Sequence, residues 1–394
     1  MPGFVRSFVT AMAVMLALAT AAESQSLTSI STTIPSARMS AMGGPHAALA
    51  EGFASLFNNP ASYESVPAQI EISSLGIQLS GPVFDIAGVA ASGAGGNISS
   101  LLASSNVQKL LQSIYAVMGM TGPVSFAYVG HGLGFGIFNT SRIALDNPVP
   151  FTVGLGMGEQ LLFIGGYAFQ IPLPASLNST LAAGMNMKGV LQGTSYVEKS
   201  FADFPSLFSS PSSSILLDSP FYFDTAIGFD AGLRYTYRKV LAVGLVGRNI
   251  YTPDLESEYS TLQGFLNGTS TPTRTATVIP LDLSVGVLYT PQIHFLDRYL
   301  SDLKLMIDYN DALGFLTHPA TANNPLLNIG LGSEITLLRI LDLRAGFYEG
   351  LFSAGFGIRL KYVEIDTAMF GNELSTQPGV DPVFNILLGI SFRF

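Results

Sequence analysis

The last eleven residues of the chain, FNILLGISFRF, alternate with a period of two. Phe384, Ile386, Leu388, Ile390, Phe392 and Phe394 fall on one side, while Asn385, Gly389, Ser391 and Arg393, with Leu387, fall on the other. Period two is the signature of a strand with unlike faces, because successive side chains point to opposite sides of a sheet. The same reading applies to residues 223–237, where Phe223, Ile227, Phe229, Leu233, Tyr235 and Tyr237 oppose Asp224, Gly228, Asp230, Gly232 and Arg234. Further alternating runs occupy 281–289, 303–309, 341–348 and 352–361. Less regular strands are expected near 69–79, 82–90, 123–130, 132–141, 151–157, 160–170, 178–192, 239–249, 326–337, 362–370 and 383–394. Together these predict about 14 strands, within a range of 12 to 16.

The composition of the polar face decides which β fold this is. A soluble sandwich would show Lys and Glu to water, whereas here the polar face is Gly, Ser and scattered opposite charges. Only 11% of residues are charged and 48% are hydrophobic, with a mean hydropathy of +0.41. Beyond residue 22, no apolar run is long and unbroken enough for a membrane helix. The best candidate, 161–177, is interrupted by Gly165, Gly166, Gln170, Pro172 and Pro174. The fold expected is therefore all-β, a transmembrane antiparallel β-barrel with its apolar side in lipid and every backbone group paired between strands.

At the N-terminus, Arg6 precedes an apolar run from Phe8 to Ala19 and the small residues Ala19-Thr20-Ala21-Ala22. This is the pattern of a secretory signal, so residues 1–22 are expected to be a cleaved leader. The absence of cysteine rules out disulfides and thiolate chemistry. A net charge of -9 without a basic run excludes the electrostatic footprint of a nucleic-acid binder. The four histidines, His46, His131, His294 and His318, lie far apart, and no catalytic motif is present. No enzyme activity, cofactor or metal site is expected.

Two segments break the strand rhythm. Residues 97–118 place Ile98, Leu101, Leu102, Leu110, Leu111, Ile114, Tyr115 and Met118 at helical spacing, predicting an amphipathic helix within a long loop near 91–121. A second long loop, near 199–221, is rich in Ser and Pro yet carries Phe201, Phe204, Leu207 and Phe208. Glycines repeat every second residue at Gly130, Gly132, Gly134 and Gly136, and again at Gly154, Gly156 and Gly158. Such rows on a lumen face leave space for a plug or ligand, or permit sharp bends. Inward Arg234, Arg344, Arg359 and Arg393, with Asp224, Asp230, Asp282 and Asp308, would either orient a headgroup or permeating ion or brace the interior as a charge network.

Ahead of the first strand, residues 37–63 read ARMSAMGGPHAALAEGFASLFNNPASY, small and helical rather than alternating. Residues 23–66 are expected to form a short helical plug in the lumen, with 67–394 as the barrel. Ala37-Arg38, Met42-Gly43-Gly44, Ala47 to Ala50 and Asn59-Pro60-Ala61 resemble the N-terminal signature of the FadL/TodX family of outer-membrane channels for long-chain fatty acids and hydrocarbons. The likeness is nearest in character to the family's spirochaete and PorV-like relatives, although Ser62 stands where glycine usually follows.

The resemblance implies a 14-stranded barrel in the outer membrane of a diderm bacterium, with an apolar solute as ligand and release sideways or to the periplasm after the hatch moves. It also implies plug or gating roles for Arg38, Met42, Gly43, Gly44, Asn59, Pro60 and Ala61. A general diffusion porin and a PorV-like secretion or interaction barrel are the alternatives. Outer-membrane lipid surrounds such a protein, and the terminal Phe394 resembles the signal by which barrel-assembly machinery takes its clients.

Overall fold

The computed structural model describes residues 30–82, 115–147, 152–200, 217–292, 300–317, 319 and 322–394. Sixteen strand segments alternate along the chain. The first six are β1 (Gln69–Ser80), β2 (Ala116–Gly130), β3 (Leu133–Asp146), β4 (Thr152–Ile171), β5 (Ser179–Ser200) and β6 (Phe221–Tyr237). Next come β7 (Leu241–Tyr251), β8 (Pro253–Tyr259), β9 (Thr273–Val278), β10 (Asp282–Tyr289) and β11 (Leu300–Tyr309). The last five are β12 (Ile329–Leu337), β13 (Leu341–Tyr348), β14 (Leu351–Arg359), β15 (Val363–Glu373) and β16 (Pro382–Arg393).

Fourteen of these segments close a ring. Each pairs antiparallel with its neighbour from β1 to β7, then from β10 to β16, with β7 pairing β10 and β16 returning to β1. The remaining two, β8 and β9, form a hairpin that rises from the ring as the continuation of β7 and β10. Here β8 takes over from β7 as the partner of the upper part of β6, with Asp224 opposite Glu256.

Alternation places the faces as the sequence pattern requires. Phe126, Phe135, Phe163, Met185, Met187, Ile227, Phe229, Leu305, Ile307 and Leu388 are exposed on the outside, while Asp230, Lys304, Asp308, Glu334, Asp342, Arg344 and Asn385 are buried inside. In water that outer surface would be a severe aggregation hazard; in lipid it is the ordinary solvated surface of a transmembrane barrel. No helix among the described residues is long and apolar enough to cross a membrane.

One end of the barrel carries both chain termini of the ring and most of the tight connections, the β13–β14 turn at Glu349-Gly350 lying at the other. Arg238-Lys239 and Leu338-Arg339 each place two consecutive residues at positive φ, the conformation of a turn whose twist matches its strands. The wall is uneven in height. At about 3.3 Å per residue, the 22 residues of β5 far exceed the 8 of β10. The wall from β3 to β6 therefore projects beyond the apolar band, and the β8–β9 hairpin stands on it with β9 exposed along its whole length.

Several local expectations are corrected. The break expected between 157 and 160 is absent, because β4 pairs with β5 without interruption from Thr152 to Ile171. Residues 116–118, assigned from spacing to the end of a helix, are strand, since β2 already pairs there with β3; the rest of that helix lies outside the described residues. The expected strand at 82–90 lies almost wholly outside them too, as do the leader, most of the 199–221 loop, His294 and His318. Gly130 and Gly132 belong to the β2–β3 turn with positive φ and are not part of a lumen row. The β8–β9 hairpin was not anticipated, because its threonines and acids lack an apolar face.

Candidate functional site in the barrel lumen

The chain from residue 30 to Val66 lies inside the ring. It is built from the short helices Ala37–Ala41 and Ser55–Asn58 and a 3-10 turn, Pro60–Glu64. The first helix begins because Ser36 accepts a hydrogen bond from the Met39 amide at 3.4 Å, and the third element begins at Asn59, whose Oδ1 accepts from the Ala61 amide at 3.0 Å. Both are N-caps in the physical sense: a side chain replaces the missing carbonyl of the previous turn.

Glycines on the inner wall let this segment approach the strands at backbone distance. A Cβ at Gly346 would lie 2.2 Å from Gly43 N, one at Gly244 2.1 Å from the Ala47 carbonyl, and one at Gly184 2.6 Å from the Pro60 carbonyl carbon. Gly134 makes room for the ring of Tyr63. Gly154 and Gly158 instead face Tyr196 and Thr194 of β5, so that row accommodates wall side chains. The apolar core is shared between segment and wall, with Phe53, Leu56, Tyr63 and Val66 packed on Ala127, Val129, Phe138 and Ile164. Met39, Met42, Ala48 and Leu49 pack on Ala242, Leu288 and Met306.

Polar contacts complete the seal. Asn59 Nδ2 donates to the carbonyls of Ala47, at 2.8 Å, and of Leu233, at 3.1 Å. Arg234 Nε donates to the Ala48 carbonyl at 2.9 Å, and Arg248 Nη1 to that of Asn58 at 3.2 Å. His46 is fully buried; its Nδ1 lies 2.6 Å from Asp308, which also accepts from the Ala47 amide at 2.8 Å.

A charge cluster ties the segment to β11–β15. Arg38 reaches Glu334 at 2.7 Å and Glu51 at 2.5 Å; Lys304 reaches Glu51 at 2.8 Å, Asp302 at 2.8 Å and Glu334 at 2.9 Å. Arg344 joins Glu334, Asp342 and Asp366, and Arg359 joins Asp342. Burial by itself raises the Glu51 carboxyl, but Arg38 and Lys304 outweigh it and hold Glu51 below the ordinary carboxylate range.

The residues singled out in the sequence are thus dispersed. Arg38, Arg344 and Arg359 share one cluster. Met42, Gly43 and Gly44 meet β12 and β13, while Asn59, Pro60 and Ala61 meet β5, β6 and β7. Arg393 pairs with Glu364 near the turn end, Asp230 pairs with Lys188 at 3.0 Å, and Asp224 lies high on β6. Arg38, Arg344, Arg359 and Arg393 each pair with an interior carboxylate, and Arg38 and Arg393 also line a small cavity of about 120 Å³ beside the plug.

What remains open is a cavity of about 380 Å³ on the long-loop side of the segment. Its floor is Ser31, Thr33, Ile34 and Pro35, and its walls include Gln78, Ser80, Thr140, Arg142, Gln160, Gln192, Thr194, Asn372 and Asn385. None of these lining residues was singled out from sequence. Their inward parity was readable, but single polar residues on strands carry no motif.

Across the wall lies an apolar groove of about 440 Å³, formed by Ile77, Met118, Met120, Ile143, Met157, Phe221 and Leu262. Cavity and groove share Gly119, Met120, Ser141, Arg142, Gly158 and Glu159. The barrier is thin there because two of the shared residues have no side chain. Beside it, β2 loses register with both neighbours around residues 122–124, and Glu159 accepts a hydrogen bond on the outer face from Asn139 at 2.9 Å.

Fold and site together define a class: a closed 14-stranded membrane barrel whose own N-terminal segment occupies its lumen. No family model and no curated protein matches the chain. Among solved structures it is similar to the toluene transporter TodX of Pseudomonas putida, with a TM-score of 0.47 at 12% identity over 91% of this chain and 97% of that one. It is also similar to a Pseudomonas aeruginosa FadL homologue, at 0.45 and 12% over 93% and 99%. A third is the Ralstonia pickettii toluene transporter TbuX, at 0.46 and 13% over 90% and 96%.

Proposed function

We propose that this protein is a passive outer-membrane channel for hydrophobic small molecules, gated by its N-terminal segment. The carrying observation is the segment's double character. It fills the lumen with apolar packing, yet most of its polar anchors are side chains and carbonyls that can be exchanged, and a cavity is left directly above it. A general diffusion porin needs a water-filled lumen, which the buried segment opposes.

Long-chain fatty acids and hydrocarbons are the solute classes that the motif's resemblance implies. The thin wall between cavity and outer groove favours release sideways, into the apolar phase where such a solute is most soluble. Phe394 is exposed beside Tyr362, with ring centroids 5.3 Å apart, and is the proposed handle for barrel-assembly machinery.

The test compares the full chain with a variant lacking residues 38–61, measuring binding of a long-chain fatty acid and conductance in planar bilayers. Saturable binding with low conductance, rising on deletion, supports the reading. Steady open conductance of the full chain without binding overturns it in favour of a porin; neither activity favours an interaction barrel.

A further inference from the structure

The mouth of the lumen on the tall wall is acidic on its inner side. Asp224 on β6, and Asp254, Glu256 and Glu258 on β8, share one face by register, since Asp224 stands opposite Glu256, Ala226 opposite Asp254 and Tyr222 opposite Glu258. The basic residue of the adjoining β9, Arg274, pairs with Ser257 and so lies on the other face. Asp224 is 1% exposed, and one of its carboxylate oxygens has no hydrogen-bond partner, as has one oxygen of Asp254. The other Asp224 oxygen accepts only a long bond from Gln192, at 3.5 Å.

A second observation comes from a neutral side chain. Thr194, on β5 opposite Tyr222, is 2% exposed with its hydroxyl unpartnered, and with Gln192 it lines the lumen cavity. Buried oxygens without partners lose their hydration without replacement, and the loss is greater when they are charged. Thr194 and Gln192 line the cavity and the acids continue from them by register, Gln192 standing opposite Asp224, so this constellation is stabilised by whatever brings donors to it. Burial and mutual repulsion already push the Glu256 carboxyl up, and burial does the same to Asp254.

We propose that this face is a binding site for the ammonium head of an amine-bearing amphiphile, whose chain lies in the cavity above the plug. The inference rests on the channel reading and names its solute class. An ammonium supplies up to three N–H donors and a positive charge, which complement oxygen acceptors that have none. A carboxylate head brings neither to this face, and a fatty acid in the same cavity would have to place its head beside Arg142 on the wall instead. An uncharged head falls between the two. Among the described residues, no group of three carboxylates or imidazoles is placed to hold a metal ion, and the apolar chain that the channel reading expects favours an organic cation.

The experiment uses the full chain in nanodiscs of zwitterionic lipid, with equilibrium binding of octylamine, 1-octanol and octanoate at neutral pH. These share one chain and differ only in the head. The expected order is amine, then alcohol, then carboxylate. The amine is expected to bind about tenfold or more tighter than the carboxylate, a floor close to what one charge pair about 4 Å apart supplies at the dielectric of water and far below the roughly thousandfold it supplies at an effective dielectric of about 20.

Asp224→Asn and Glu256→Gln, alone and combined, are expected to erase most of that preference while leaving octanol binding unchanged. Heat-modifiable migration in electrophoresis confirms that the variants fold. Octanoate binding equal to or tighter than octylamine, or a preference untouched by both substitutions, overturns the inference and leaves the channel reading standing. Binding of none of the three compounds removes the channel reading and the inference with it.

Discussion

At Gly346 a single absent side chain decides whether the plug fits. A Cβ there would meet the backbone of Gly43 at 2.2 Å, and backbone cannot step aside as a flexible side chain can. Gly346→Val is therefore expected to dislodge residues 41–46 from the wall. Gly389→Ala, where the nearest atom is the Ala37 Cβ at 3.9 Å, is expected to be silent. Protease cleavage within 37–64 distinguishes them; equal resistance in both variants would remove the claim that contact with the wall glycines holds the plug.

Asn59 makes the complementary case, since its amide serves three carbonyls and one amide at once. Asn59→Ala should weaken docking by about 2 kcal/mol, because buried carbonyls lose their donor. The check is hydrogen exchange of the Ala61 amide, which should quicken while exchange in β12 stays unchanged.

At the level of elements, the charge cluster between the plug and β11–β15 is matched only as a whole. Glu334 is buried among Arg38, Lys304 and Arg344. Glu334→Gln leaves three cations without their shared partner, an imbalance that costs about 3–5 kcal/mol when a buried pair is broken from one side. The expected result is raised bilayer conductance in the variant, partly reversed by adding Lys304→Met.

Two carboxyls give opposite pH dependences. Glu51, held low, contributes docking strength that is present above its ordinary value of 4.5 and is lost as acid drops below its shifted one. Glu349, in the β13–β14 turn, is pushed up to about 7 by burial, which outweighs the hydrogen bond from the Glu373 amide that favours the charged form. Its contribution is complete below the ordinary carboxylate range and disappears as pH rises through about 7. Exchange at the Glu373 amide, which donates to Glu349 at 3.0 Å, should therefore rise between pH 6 and 8 beyond the intrinsic base-catalysed rate. Glu349→Gln should lack that step, and persistence of the step in the variant would discard this assignment.

For the whole molecule, the ring was legible wherever lipid and lumen impose opposite demands on neighbouring residues. β6, β11, β13 and β16 could be read almost residue by residue, because Ile227 against Asp230, or Leu305 against Lys304, leaves no alternative face. The reading fails where that contrast ends. β8 and β9 stand beyond the apolar band, so Glu256 and Thr275 obey no inside-outside rule, and the alternation assigns no strand there. The cavity was hidden for another reason: Gln78, Arg142 and Asn385 converge only once 14 strands close, and no spacing along the chain encodes closure.

The hairpin takes no part in that closure, since β7 pairs directly with β10. Replacing residues 253–278 with a short turn should leave heat-modifiable migration intact while abolishing the amine preference. A chain that no longer folds would mean that the hairpin supports the ring.

Finally, the seam between β1 and β16 has a consequence for how such a molecule can be made. The segment at 30–66 is synthesised before any strand, yet it ends up enclosed by all of them, and it runs into β1 only three residues after Val66. The ring is completed when Leu75 meets Ile390 across that seam, joining the first strand to the last. Assembly is therefore an act of wrapping: the leading stretch must wait beside an open, curling sheet until the final strand arrives, or be drawn in through the turn end afterwards. The order of synthesis and the order of enclosure are opposed, and the last-made strand closes the door on the first-made segment.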